Sequence, residues 1–81
     1  MTPLLAALKI LAQADAGATL PLSTVLDYVH NAGFPDEDIN KDALRQGKAD
    51  GLIESQYNSI TKQTRYWITP AGRIAHSGTR A

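Results

Sequence analysis

The spacing of hydrophobic residues changes once along the chain, at Gly51, and that change confines the fold to a helical part followed by a β part. Before it, apolar side chains recur at helical intervals in three segments punctuated by glycine and proline. Thr2-Pro3 offers an N-cap and a proline at the first helical position. Leu4, Leu5, Leu8, Leu11 and Ala12 then share a face of an alanine-rich stretch, which predicts a helix over 3–15 ended by Gly17. Ala18-Thr19-Leu20 reads as a short extended link. Pro21 opens a second helix over 21–32, in which Leu22, Val25, Leu26 and Val29 fall at i, i+3, i+4 and i+7. Gly33 and Pro35 follow its end. Asp36, Glu37 and Asp38 crowd the start of a third helix over 36–50, where the helix dipole favours acids. Ile39, Ala43, Leu44 and Gly47 mark its inner face.

After Gly51 the pattern becomes that of strands. Residues 52–57 and 64–69 are rich in β-formers, and the polar stretch 58–63 between them predicts a hairpin with a loop of about five or six residues. Thr69-Pro70 repeats the cap-and-proline signal of Thr2-Pro3, so a short helical turn is expected over 70–76, with 77–81 a flexible tail. A chain of 81 residues holds one domain, 1–81, and buries only about 60% of its unfolded surface.

Several function classes find no support. There is no cysteine, hence no disulfide framework and no thiolate metal site. His30 and His76 lie far apart in sequence, and no phosphate-binding glycine loop or hydrolase motif occurs. The acids at 36–38 lack the ligand spacing of a calcium loop. The expectation is a protein that is not an enzyme, with no catalytic residue, metal or cofactor. No apolar run approaches the ~18–20 residues of a membrane span, and the N-terminus lacks the basic start of a signal peptide. A cytoplasmic protein without membrane contact is expected.

The net charge is zero but unevenly spread. Residues 1–54 carry four basic and eight acidic side chains, a net of −4. Residues 55–81 carry Lys62, Arg65, Arg73 and Arg80 and no acid, a net of +4. A polyanion would be drawn to the C-terminal third. Numbers this small also arise by chance.

Three helices followed by a hairpin is the order of a winged helix-turn-helix, and the chain resembles that family from residue 3 to 74. ADGLIES resembles the junction from the third helix into the first wing strand. RYWITPAGR resembles the second wing strand running into Thr-Pro and a short helix. The resemblance implies an α+β fold: a three-helix core, a two-stranded β-hairpin wing and a short C-terminal helical turn. Gly47 departs from it, since that core-facing slot usually holds leucine. Trp67 is expected to fill the gap. Of Tyr66 and Trp67, adjacent on a strand, one seals the core, and the sequence leaves open which.

The resemblance implies double-stranded DNA as partner, read sequence-specifically by a small prokaryotic or phage transcriptional regulator acting as a homodimer. The third helix would enter the major groove, with Asn40, Lys41, Arg45 and Lys48 in contact. Asp38 and Asp42 lie among these cations, so a solvated, ion-paired face is the competing reading. Asn58, Thr61, Lys62, Gln63 and an outward-facing Arg65 would carry the wing to a minor groove or to phosphates. The alternative is an ordinary polar hairpin tip. Arg73 extends the basic edge, and Ile60 stands out in an otherwise polar loop. Leu4, Leu5 and Leu8 form either a dimer seam or simply core. The alternative function is a winged-helix adaptor or inhibitor that binds protein and does not read DNA.

Overall fold

The computed structural model describes residues 2–14 and 18–78. Among these residues the order is α1 (Pro3–Gln13), β1 (Leu20–Pro21), α2 (Leu22–Asn31), α3 (Glu37–Ala49), β2 (Ile53–Asn58), β3 (Gln63–Ile68) and α4 (Pro70–Gly78). The architecture is α+β: four helices and a three-stranded antiparallel sheet in the order β1-β3-β2.

The helix starts are set by local chemistry. Thr2 Oγ1 accepts from the Leu5 amide at 3.2 Å, and Pro3 follows at the first helical position. Asp36 Oδ1 accepts from the amides of Asp38 and Ile39 at 3.0 and 3.2 Å, satisfying two donors that the first turn of α3 cannot pair internally. α1 ends at Gln13, with Ala14 already extended, two residues before the expected stop. The expected terminator, Gly17, lies outside the described residues.

The end of α3 is a Schellman motif. The Leu52 amide donates back to the Gly47 carbonyl at 2.8 Å and the Gly51 amide to Lys48 at 3.1 Å, with Gly51 at φ +75. This reversal launches β2. Thr69 closes the same corner from the other side. Its amide donates to the Leu52 carbonyl (3.1 Å), its hydroxyl donates to the Gly51 carbonyl (2.6 Å), and its Oγ1 accepts from the Gly72 amide (3.0 Å). One residue thus joins the end of α3, the root of the wing and the start of α4. That last helix is longer than the expected turn and reaches Gly78.

The core comprises Ala6, Ala7, Leu8 and Leu11 of α1, Val25, Leu26 and Val29 of α2, Leu44 of α3, and Ile53 and Ile68 of the sheet. α1 touches α2, α3, α4 and β3, so it is buried nearly all round rather than along one stripe. Leu8, placed in a dimer seam by one sequence reading, is 1% exposed within a single chain and is core. Leu4 and Leu5 pack half-buried at its edge.

Three further expectations are corrected. Leu20–Pro21 is a strand rather than a link, pairing Leu20 with Tyr66 and Pro21 with Arg65, so the wing sheet has three strands instead of two. The hairpin loop is four residues, 59–62, because Asn58 and Gln63 pair as the last rung. The gap at Gly47 is not filled by Trp67: a Cβ there would stand 2.8 Å from both Ile53 Cδ1 and Leu4 Cδ1. Ile53 and Leu4 supply the volume that a leucine at this slot would have filled.

Candidate nucleic-acid interface

On α3, Lys41, Arg45 and Lys48 are exposed and recur at i, i+4 and i+7, so they form one stripe. Each has an intramolecular partner. Lys41 Nζ lies 3.6 Å from Glu37 Oε1, and Arg45 Nη1 donates to Asp42 Oδ1 at 2.6 Å. Lys48 Nζ donates to Ser55 Oγ at 2.9 Å, tying the end of the helix to β2. Exposed ion pairs of this kind are worth at most about 1 kcal/mol and exchange readily for a stronger anion.

Asn40 is not on that stripe. It is 3% exposed, and its Nδ2 donates to the Phe34 carbonyl at 2.8 Å, holding the turn that connects α2 to α3. Its Oδ1 has no hydrogen-bond partner. The inner stripe of the helix is therefore Asn40, Leu44 and Gly47, while Ile39, expected inside, is 54% exposed. Phe34 lies at the edge of the core with its carbonyl turned inward, and a polar partner was needed there more than an apolar one.

The wing tip has its own geometry. Asn58 Oδ1 accepts from the amides of Ile60 (2.9 Å) and Thr61 (3.3 Å), and Lys62 adopts φ +56 to turn the chain back to Gln63. Thr61, Lys62 and Gln63 are exposed, as expected. Asn58 is exposed too, but its carbonyl oxygen is committed to shaping the turn. Arg65 does not point freely outward. It sits two rungs inside the hairpin opposite Gln56, half-buried. Its Nε donates to Thr19 Oγ1 at 2.6 Å and its Nη2 to the Thr19 carbonyl at 2.7 Å. The unexpected β1 pairing brings Thr19 alongside. Arg73 is exposed on α4, where Nη1 donates to the Ala12 carbonyl at 3.4 Å, so its bond is to the end of α1 and not to the wing.

Sequence reasoning passed over Tyr57. Ile53 and Ile68 point inward, so alternation places Ser55 and Tyr57 of β2, and Thr64 and Tyr66 of β3, on the same face. Tyr66 packs against the core and is the inward aromatic. Trp67, opposite Glu54, is on the other face. Tyr57 lies beyond the core and is 59% exposed on the side where Lys48 meets Ser55, between α3 and the wing. Counting in twos from Ile53 would have found it.

The α3 stripe and the wing thus flank one surface. The crystal structure of a MarR-family transcriptional regulator from Silicibacter pomeroyi matches this arrangement with a TM-score of 0.75 at 27% sequence identity, over 95% of this chain. The chain folds as a winged helix. No protein-family model and no curated protein matches the sequence. The winged helix spans about half of the neighbour, 47% of that chain. Among the described residues, no helix is long and apolar enough to cross a membrane, and no cluster of acids or histidines has the arrangement of a metal site.

Proposed function

We propose that this winged helix binds double-stranded DNA as a cytoplasmic transcriptional regulator and has no enzymatic activity. α3 lies in the major groove, the wing lies on the flanking backbone or minor groove, and two copies act together. The likeness to a transcriptional regulator over nearly the whole chain carries this reading. The absence of acids from residue 55 onward supports it. Lys41, Arg45 and Lys48 face the major groove, and Lys62 with Thr61 and Gln63 faces the backbone beside it. Tyr57, on the face of the wing turned toward α3, contacts phosphates between them. In a dimer, Leu4 and Leu5 contribute their exposed edges, and Ile74 of α4, 74% exposed, offers a further apolar contact.

A salt titration tests the reading. Fluorescence anisotropy of the chain with a generic duplex gives log K falling against log salt with a slope of about −3 to −4, as about four phosphate contacts require. No binding at low salt overturns it. The second reading, a protein-binding adaptor, is favoured by one observation: two of the three α3 cations are already paired with acids of their own helix.

A further inference from the structure

Ile60 is 90% exposed at the apex of the wing, more than any other large hydrophobic among the described residues. A lone exposed isoleucine is ordinary on a protein surface. This one differs in how it is held and in what surrounds it. The Asn58 carbonyl oxygen accepts from the amides of Ile60 and Thr61, and the left-handed Lys62 turns the chain immediately after. The apex is therefore a fixed turn, and presenting its side chain to a partner costs little further ordering. The side chain itself is β-branched and stiff at χ1. Ser59, Thr61, Lys62 and Gln63 supply hydrogen-bond donors around it, and no acid occurs from residue 55 to 78. A single apolar tip ringed by donors and a cation does not match the contiguous apolar patch of a protein-docking surface. It matches a groove with phosphate walls and a stacked floor.

We propose that Ile60 is a wedge that enters the DNA minor groove and partly unstacks a base step beneath the wing. This deepens the DNA-binding reading and rests on it. An inserted aliphatic side chain opens the step and kinks the duplex toward the major groove. The weakly stacked pyrimidine–purine steps, TA above all, yield most easily. The wing then contributes specificity through the deformability of the step and not through hydrogen bonds to base edges.

Two measurements test this on the full chain. The first is affinity at about 50 mM salt for a duplex rich in TA steps and for a G·C-rich duplex of equal length. The second is the linking number of a nicked plasmid sealed by ligase with the protein bound. The wild type favours the TA-rich duplex and leaves a shift in linking number. Ile60→Ala binds the TA-rich duplex about tenfold more weakly, loses the preference and leaves no shift, with an unchanged melting temperature and an unchanged salt slope. Ile60→Leu keeps most of the effect. If Ile60→Ala binds and shifts the linking number as the wild type does, the wedge is wrong and DNA binding stands. If the wild type binds neither duplex, both fall together.

Discussion

Gly72 approaches another part of the chain so closely that no side chain fits. A Cβ at this position would collide with the Leu52 carbonyl oxygen, and would lie 2.7 Å from Ile68 Cγ1. The first neighbour is backbone, and it is held in place by the Thr69 amide. Gly72→Ala therefore has to push α4 away from the wing root, at a cost of about 3 kcal/mol or more. Urea denaturation will show this as a large drop in midpoint, and a variant as stable as the wild type would mean that α4 does not dock here. Asn40 is a residue of a different kind. Its amide is almost fully buried for the sake of one carbonyl, and its own oxygen goes unpaired. The turn between α2 and α3 thus retains a buried polar side chain because an apolar one would leave the Phe34 carbonyl without its donor. That turn sets how α3 is presented.

Gly47 relates α3 to α1 and β2, and its energetics belong to those elements. Ile53 Cδ1 and Leu4 Cδ1 occupy the space beside it, and both are ends of flexible side chains. Gly47→Ala gains about 1 kcal/mol of helix propensity but displaces both methyl groups. Ile53→Val removes one of them. The double variant Gly47→Ala/Ile53→Val should thus be more stable than the sum of its single changes, by about 0.5–1 kcal/mol in thermal melts. Strict additivity would mean that the two sites are not in contact. The elements were largely legible in the sequence. Thr2-Pro3, Asp36 and Thr69-Pro70 start helices where their side-chain chemistry says they should, and Gly51 ends α3 with the expected reversal. What escaped was non-local. Two residues of β1 carry no strand signal of their own and exist only because β3 lies beside them. Which of Tyr66 and Trp67 faces inward depends on register, which a strand read alone does not reveal. Asn40 and Ile39 exchanged their expected places because polarity was read as exposure, while the Phe34 carbonyl required a buried donor. The exposed cations of α3 and the wing tip were found by position, but their partners were only partly foreseen. Asp42 pairs with Arg45, but Glu37 and not Asp38 pairs with Lys41, and Ser55 and Thr19 are partners brought in from other elements.

At the scale of the molecule, an acidic N-terminal portion and a basic C-terminal portion sum to zero, so binding to a polyanion must be oriented. In the salt titration, Lys62→Ala lowers affinity on all sequences alike and reduces the slope by about 1, whereas Arg45→Ala also relaxes discrimination between duplexes. Equal, sequence-blind losses from both would remove α3 as the reader. Light scattering gives the assembly state directly: the dimer reading requires twice the 8.7 kDa of one chain, and a monomer at the concentrations that bind DNA would exclude paired half-sites. The sheet bears on this too. β1 is one of its two edges, only two residues long, and one of them is Pro21, which has no amide hydrogen to offer a further strand. A ribbon of copies needs two open edges on every subunit to keep growing. With the β1 side closed, edge-to-edge pairing stops at two chains, and the molecule can carry a β-sheet in its wing without becoming a seed for fibres.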